Sequence, residues 1–357
     1  MPVYLSPSTL LLVVFIALTY TRPGSATTVN TTQGYLVAVS FAVLLLVSVF
    51  LHELGHCVVS QSVGVRVRSI TLYMLGGVTT TETEARDPGR SGLITLAGPL
   101  VSLLLAAAGA LVTHALARGG AARELALDLT VVNLLVAGFN MLPGLPLDGG
   151  HLLRAGVWRL TAKPAVATRV AGWAGRAVAI LVLAGGLAIT GRTGTADYVN
   201  LLWAALLAAF IWVGATQAMR GAAVSERLPR LQAGHLARPA VAVPSDMPLA
   251  EALRRLTAEH AGGIVVVDRD GCPHAVVVEQ AVSATPEKRR PWVSVGAVAR
   301  SVSGGLTLDA GLSGSDMVTA IQANPATEYV VVDDRGGLVG VLTTADVAGV
   351  LRPAAAR

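Results

Sequence analysis

The chain has little charge, few aromatic residues and almost no cysteine. Of its 357 residues, 14% are charged and 4% are aromatic, whereas charged residues make up about 25% of a typical soluble domain. This scarcity of charge argues against a soluble globular enzyme. The two cysteines, Cys57 and Cys272, are too few to form a disulfide framework.

The charge that is present is unevenly divided along the chain. The formal net charge is +5, which by itself would suit a nucleic-acid-binding protein. Residues 1–220 contain 14 basic and 8 acidic residues, whereas residues 221–357 contain 13 basic and 14 acidic residues. The positive excess therefore lies in the apolar part of the chain, and we predict no nucleic-acid partner.

Long apolar runs occupy the first 224 residues. Runs of about 20 residues predict membrane-spanning helices, so we expect an α-helical membrane protein with about six transmembrane helices. The runs cover residues 5–20, 34–59, 93–116, 125–142, 170–190 and 198–219. The first run lies where a signal peptide would lie. It lacks a basic start and a small-residue cleavage site, which favours a retained helix.

Basic residues alternate in number between successive loops. The segments after the second, fourth and sixth runs hold eleven arginine and lysine residues, whereas the three alternate loops hold four. Because loops rich in these residues stay in the cytoplasm, we predict a multi-pass protein of the cell membrane with both termini cytoplasmic.

From about residue 225 the apolar segments become short and rich in β-branched residues, which is typical of a soluble α/β domain. Residues 264–282 align without gaps with residues 329–347, at an offset of 65. Such an alignment indicates an internal repeat. The expected boundaries are 1–224 for a membrane domain and 225–357 for a soluble domain, with repeats over about 235–290 and 298–355.

The second apolar run ends in His52-Glu53-Leu54-Gly55-His56, an H-E-x-x-H motif. In a helix the two histidines lie one turn apart on one face, so both imidazoles can bind one metal ion. Glu53 points to the side, where it can take a proton from a metal-bound water as a general base. A purely structural role for these three residues is difficult to justify, because inserting one ionisable residue at membrane depth costs about 2.5–3.5 kcal/mol.

A catalytic zinc ion needs a third protein ligand, and Asp148 is the candidate. It follows the fourth run, on the side of the membrane where the second run ends. Pro143 and Pro146 break the helix before it, and irregular backbone is tolerated at membrane depth where it lines a cavity. His151 is the alternative ligand. Asn140, just before the break, could hold a substrate carbonyl or oxyanion, or could instead form a capping or interhelical hydrogen bond.

These motifs together resemble the site-2 protease family of intramembrane zinc metalloproteases. The matching patterns are H-E-x-x-H over residues 52–56 and N-x-x-P-x-x-P-L-D-G-G over residues 140–150. Residues 75–78, as a membrane-dipping hairpin, and residues 97–100, at the start of the third helix, also resemble the family. The roles that the resemblance implies are zinc ligands for His52, His56 and Asp148, with one zinc ion per chain, a catalytic role for Glu53 and an assisting role for Asn140.

The C-terminal repeat resembles a tandem pair of CBS domains, in which a T/S-x-x-D pattern after the last strand often holds a nucleotide ribose. Thr343 and Asp346 fit this pattern, whereas Val278 and Ala281 stand at the equivalent positions of the first repeat. The resemblance implies at most one adenine-nucleotide site of this kind, although threonine and aspartate also favour helix N-caps. It further implies a regulatory module and a homo-oligomer.

The predicted function is hydrolysis of a peptide bond in or near a substrate's transmembrane helix. The resemblance implies a bacterial enzyme, in contact with membrane lipid, whose substrate is a membrane protein such as a membrane-bound anti-sigma factor or a sigma precursor. A divalent-metal transporter gated by CBS domains is the alternative, but the outer halves of the runs show no second set of metal ligands. A third possibility, an inactive relative that binds membrane proteins, conflicts with the intact Glu53.

Overall fold

In a computed structural model the chain divides into two compact units, Met1–Ala222 and Ala223–Arg357. The residues that the structure describes are 1–9, 11, 14, 31–73, 76–82, 87–118, 120–193, 198–302 and 305–351. Most of the helix predicted over residues 5–20 lies outside them. Val3–Leu5 form a short strand, β1.

Long helices make up most of the N-terminal unit. Within the described residues they are α1 (Thr31–Ser62), α2 (Pro88–Ala115), α3 (Ala121–Asn140), α4 (Asp148–Thr161), α5 (Pro164–Thr193) and α6 (Tyr198–Ser225). The segments long and apolar enough to cross a membrane, among the residues described, are Gly34–Ser62, Pro88–Ala115, Pro164–Thr190 and Asn200–Arg230. The helix α3 is not among them and carries Arg123, Glu124 and Asp128 near its start. The count of about six spans therefore stays a prediction.

The helix α2 begins five residues earlier than the apolar run predicts. Asp87 caps it, since its carboxylate accepts the backbone N–H of Arg90 at 2.9 Å, and Pro88 occupies the first turn, where proline is favoured. Residues 97–100 therefore lie inside α2 and not at its start, so this part of the prediction was wrong. The buried Gly98 instead packs against α1.

A three-stranded sheet lies beside α1. Its middle strand is β2 (Val67–Tyr73), which pairs in parallel with β1 and antiparallel with β3 (Gly76–Thr81). Ile70 and Leu72 of β2 are buried and pack with Cys57 of α1. The strands β2 and β3 form a hairpin after α1, and residues 76–78 of the predicted hairpin begin β3. Residue 75 lies outside the described residues, and the entry of this hairpin into the membrane stays a prediction.

A short loop joins α3 to α4. Asn140 is the last residue of α3 and Asp148 is the first residue of α4, so two predicted site residues stand at the two ends of one loop. The backbone N–H of Leu145 donates to the carbonyl of Ala171 on α5 at 3.1 Å. Leu147 packs in an apolar cluster with residues of α5 and α6. These contacts tie the loop that carries Asp148 to the last two long helices.

The C-terminal unit repeats one strand order. In each half a parallel strand pair is joined by a helix, and the second strand of the pair continues into an antiparallel hairpin. The first half is preceded by Leu228–Arg230 and α7 (Ala233–Leu236), and contains β4 (Ala240–Val243), α8 (Leu249–Ala258), β5 (Gly263–Val267), β6 (Pro273–Val277), α9 (Glu279–Ala284), Glu287–Trp292, Val295–Val298 and β7 (Ala299–Ser301). The second half contains β8 (Thr307–Asp309), α10 (Gly314–Ala323), β9 (Glu328–Val332), β10 (Leu338–Thr343) and α11 (Thr344–Leu351).

The β-branched runs of this unit are strands buried on both faces. Successive side chains of a strand point to opposite faces. Val266 of β5 accordingly packs into the core of the first half with Leu249. Its neighbour Val265 packs into the core of the second half, which contains Met317 and Tyr329. Burial on two sides explains why these strands read as continuous apolar runs.

Candidate metal centre

The three predicted zinc ligands meet at one point. His52 and His56 come from α1, and Asp148 comes from the start of α4. The two histidine Nε2 atoms are 3.3 Å apart, and the carboxylate oxygens of Asp148 lie 3.3 Å from His52 Nε2 and 3.4 Å from His56 Nε2. Among the residues described, no other cluster of histidine, cysteine, aspartate or glutamate side chains is close enough together to hold a metal ion.

These spacings fit a zinc ion. Tetrahedral zinc binds nitrogen and oxygen at about 2.0–2.2 Å, which separates neighbouring ligand atoms by about 3.3–3.6 Å. The observed separations of 3.3, 3.3 and 3.4 Å fall within that range. Two imidazoles and one carboxylate are also a donor set found in catalytic zinc sites. The geometry therefore supports the predicted metal and its three ligands.

Both imidazoles are oriented by partners on α2. His56 Nδ1 lies 2.8 Å from the carbonyl oxygen of Ile94, and His52 Nδ1 lies 2.9 Å from Ser102 Oγ. Because a carbonyl oxygen only accepts, His56 Nδ1 carries the hydrogen and its Nε2 keeps the lone pair. Such outer partners fix the tautomer and ring orientation of metal-binding histidines. Here they direct both Nε2 atoms towards Asp148.

The absence of a side chain at Gly98 leaves the space that the imidazoles occupy. A Cβ atom at this position would lie 2.2 Å from His56 Nε2 and 2.6 Å from His52 Nε2. The backbone of α2 therefore forms one wall of the site, and no other residue type fits there without moving a ligand.

We expect Gly98→Ala to weaken zinc binding about 10–100-fold. Losing a residue that hydrogen-bonds to a metal ligand has an effect of the same size. The added methyl group overlaps both Nε2 atoms, so the imidazoles must rotate or α2 must shift. Zinc content per chain after dialysis measures the effect. Gly138→Ala on α3 is the matched control, since its Cβ meets nothing within 4 Å. Full zinc occupancy in Gly98→Ala would contradict this account of the wall.

Glu53 lies beside the three predicted ligands and does not belong to their group. Thr79 of β3 donates a hydrogen bond from Oγ1 to Glu53 Oε2 at 2.7 Å. The strand passes so close that a Cβ at Gly77 would lie 2.3 Å from Glu53 Cγ. The hairpin thus holds the carboxylate in a defined position at the edge of the metal centre.

Two cavities meet at this centre. The first, of about 340 Å³, is lined by Glu53, His56 and Asp148 together with His151. The second, of about 430 Å³, is mainly apolar and is lined by His52, Glu53, Asn140 and Asp148 among others. Asn140 therefore shares a cavity with the metal ligands. The alternative ligand His151 lines the first cavity but does not belong to the ligand group among the described residues.

Comparisons with known proteins place this geometry in a family. Residues 40–118 and 113–185 match the model of peptidase family M50. Rip3 of Mycobacterium tuberculosis, whose name describes a zinc metalloprotease, is 32% identical over 324 residues, which cover 88% of this chain and 80% of Rip3. The chain belongs to peptidase family M50. The predicted membership in the site-2 protease family and the predicted metalloprotease class are thereby confirmed.

Other matches extend over more of the M50 chain or over its second unit. The protein sll0528 of Synechocystis, also named for a zinc metalloprotease, is 26% identical over 367 residues, covering 99% of the M50 chain and 94% of the relative. The solved site-2 protease of Methanocaldococcus jannaschii is 27% identical, with a TM-score of 0.45 over 61% of the M50 chain and 90% of that structure. Residues 233–282 match the CBS-domain model, so the C-terminal unit contains a CBS domain, as predicted.

Thr343 and Asp346 of the M50 protein lie where β10 meets α11. Thr343 Oγ1 donates to an Asp346 carboxylate oxygen at 2.7 Å, and the Asp346 backbone N–H donates back to Thr343 Oγ1 at 3.2 Å. Arg238 forms an ion pair with the same carboxylate. Burial acts to raise the pKa of Asp346, but the hydrogen bonds from Thr343 and Arg238 outweigh it and lower that pKa. The two residues therefore form a helix cap, and a nucleotide-binding role stays a prediction.

Motif analysis missed the residues that orient the predicted catalytic groups of the M50 protein. Ser102 and the carbonyl of Ile94 position the histidines, and Thr79 positions Glu53. None of them belongs to a metal-binding motif. Gly77 and Gly98 lie in segments that resemble the family. Glycine at these two positions was the one sequence signal that backbone passes close to Glu53 and to the two histidines.

Proposed function

We propose that this M50 protein is an intramembrane zinc endopeptidase that hydrolyses a peptide bond in or near a transmembrane helix of another membrane protein. The observation that carries the proposal is the convergence of His52, His56 and Asp148 at 3.3–3.4 Å, beside the buried Glu53. The histidines lie within a helical segment long and apolar enough to span a membrane. This combination supports peptide hydrolysis at membrane depth.

Each group in the site has a distinct task. His52, His56 and Asp148 would hold the zinc ion, which when bound would act as a Lewis acid that polarises the scissile carbonyl and lowers the pKa of the attacking water. Glu53 accepts the proton of that water and delivers it to the leaving amine nitrogen. Thr79 holds one carboxylate oxygen, which leaves the other free for the proton. Asn140 donates its amide N–H to the oxygen of the scissile carbonyl.

The mainly apolar cavity of about 430 Å³ suits a segment of a membrane helix. Backbone amides inside a helix are hydrogen-bonded and closed to attack, so the substrate segment must unwind locally before cleavage. Glu53 and Asp148 line both this apolar cavity and the more polar one of about 340 Å³. The polar cavity is the route by which water enters in this proposal.

Trapping of the substrate tests the proposal and names the substrate class. The Glu53→Gln protein is crosslinked in the membranes of its host and purified with zinc bound, and captured proteins are identified by mass spectrometry. Each captured membrane protein is then placed in proteoliposomes with the wild-type enzyme. Cleavage that stops with a zinc chelator and returns with zinc supports the proposal. Capture of membrane proteins that the wild-type enzyme never cleaves would overturn it.

A CBS-gated divalent-metal transporter is the competing function. A transport path needs metal-binding residues at successive depths, whereas the described residues contain a single such group. Zinc flux into sealed proteoliposomes separates the two functions. Flux that persists in the Glu53→Gln protein, without cleavage of any captured protein, would favour transport.

We further propose that the unit over 225–357 is a CBS pair that regulates cleavage, binds an adenine nucleotide and joins chains into a homo-oligomer. The CBS match over 233–282 and the repeated strand order support this role. Deletion of residues 230–357 should change the cleavage rate and abolish any response to adenine nucleotides. An unchanged rate and an unchanged response would contradict regulation by this unit.

Membrane-bound anti-sigma factors and sigma precursors are the first substrates to test.

Cys272 provides a direct test of the proposed cytoplasmic C-terminus. Its thiol is exposed, whereas Cys57 is buried. We expect a membrane-impermeant maleimide to label Cys272 in inside-out vesicles and not in right-side-out vesicles of the cell membrane. Cys272→Ser is the control and should remove the signal. Labelling in right-side-out vesicles would reverse the topology that the eleven-to-four distribution of basic residues predicts.

A further inference from the structure

Arg176 of α5 lies between two tryptophan rings. Its guanidinium carbon is 4.7 Å from the centroid of the Trp173 ring and 4.9 Å from that of Trp212 on α6. A terminal nitrogen of the guanidinium donates a hydrogen bond to Thr216 Oγ1 at 3.1 Å. All four residues belong to helical segments that can span a membrane. A charged group therefore sits in the membrane part of the molecule, away from the metal ligands in sequence.

The hydrogen-bonding capacity of Arg176 is largely unmet within the described residues. A guanidinium has five N–H donors, yet the Nε atom is buried and has no hydrogen-bond partner. None of the ion pairs found among the described residues includes Arg176. An arginine in a membrane helix is costly and is normally paired with a partner. The described residues therefore supply no counter-ion to the charge of Arg176.

The surroundings of Arg176 point to the lipid phase. Trp173 is 62% exposed and Trp212 is 42% exposed, so both rings face outward. The span Pro164–Thr190 has 27 residues, which is about 40 Å of helix against about 30 Å of hydrocarbon. Arg176 lies near the middle of this span, but its guanidinium contacts Trp173 and Thr216, which lie about one turn from Arg169 and Arg220 respectively. The side chain is therefore directed towards the basic ends of both helices, where long cationic side chains reach the headgroup layer. Tryptophan rings are enriched at that level.

We propose that Trp173, Arg176 and Trp212 form a binding site for the phosphate of an anionic membrane lipid. The planar guanidinium offers parallel N–H donors that match phosphate oxygens. The two rings hold this plane by cation–π contacts and present apolar surface to the glycerol and acyl groups. A half-buried cation between two outward-facing rings suits a lipid phosphate better than a peptide substrate, which must reach the metal centre.

The same helices hold the loop that carries Asp148. Leu145 of this loop donates to the carbonyl of Ala171, one and a half turns before Arg176. Leu147 packs with residues of α5 and α6, including Ile211 beside Trp212. A lipid bound across both helices would hold them together and steady the loop. Lipid occupancy therefore stabilises the position of Asp148.

Native mass spectrometry of the full-length protein tests the lipid site without any proteolysis. Delipidated protein is titrated with phosphatidylglycerol or phosphatidylcholine, and the lipids retained per chain are counted. Wild type should retain one phosphatidylglycerol in preference to phosphatidylcholine, and Arg176→Gln should lower its affinity for phosphatidylglycerol about tenfold or more. Arg220→Gln, at an exposed arginine of α6, is the control and should behave as wild type. Equal retention in wild type and Arg176→Gln overturns the proposal.

Fluorescence quenching of the wild-type protein provides a test that needs no variant. Phosphatidylglycerol with brominated acyl chains should quench part of the tryptophan emission and saturate at about one lipid per chain, while brominated phosphatidylcholine should not saturate at that ratio. Millimolar inorganic phosphate should not displace the lipid, because it lacks the acyl contacts. Displacement by phosphate, identical quenching by the two lipids, or displacement by an acidic substrate peptide each overturn the lipid assignment.

Discussion

Glu53→Gln should lower the rate of peptide-bond cleavage about 10²–10⁴-fold and leave the bound zinc in place. The amide cannot accept the proton of the attacking water, so the general base is lost. The geometry around it is kept, because glutamine has the same shape and its amide oxygen can still accept the hydrogen bond from Thr79. The residues positioned to hold the metal are His52, His56 and Asp148, so we expect zinc binding not to need Glu53.

Single-turnover cleavage in proteoliposomes, combined with zinc content per chain, measures both parts of this prediction. Glu124→Gln is the matched control, since it makes the same carboxyl-to-amide change at the far end of α3 from Asn140. A fully active Glu53→Gln protein would exclude Glu53 as the base. Loss of zinc from the same protein would mean that Glu53 contributes to the metal centre itself.

Asp148→Asn should weaken zinc binding by more than about 100-fold, because the loss of a ligand exceeds the 10–100-fold effect of losing a ligand's partner. Zinc ligands bind in their deprotonated form, and a neutral amide replaces the one negatively charged donor of the site. In the structure each carboxylate oxygen of Asp148 faces one histidine Nε2. Cleavage should be lost together with the zinc and should not return at ordinary zinc concentrations.

Competition with a chelator at fixed pH gives the zinc affinity for this comparison. Asp128→Asn on α3 removes the same charge from the same unit and should retain zinc. His151→Ala separates the two candidate third ligands that the sequence leaves open. If Asp148→Asn keeps its zinc while His151→Ala loses it, His151 is the third ligand and the assignment of Asp148 is wrong.

The ligand set could be predicted because its geometry is local. The spacing of His52 and His56 puts both imidazoles on one face wherever the segment is helical. Asp148 could be found because the prolines before it end a helix on the side where the histidines emerge. The family resemblance rested on these same residues, and the match to peptidase family M50 confirms it.

Element boundaries and the count of spans were harder to predict. Hydropathy places the start of α2 at residue 93, but Asp87 and Pro88 begin the helix earlier, since caps and first-turn residues need not be apolar. The run over 125–142 predicts a span, yet the helix Ala121–Asn140 includes three charged residues near its start. A run of apolar residues indicates that a helix is surrounded by lipid or by protein. It does not show at which residues the helix begins and ends.

The sequence by itself determined the family and the CBS domain, and it predicted the zinc ligands and the general base, because each depends on residue types at short, fixed spacings. Tertiary structure alone decided which groups surround them. The carbonyl of Ile94 and Gly98 of α2 reach the histidines, and Thr79 of β3 reaches Glu53. Trp212 reaches Arg176 from another helix. Such contacts depend on how helices and strands pack, and spacing along one segment carries no information about the facing residues of the next.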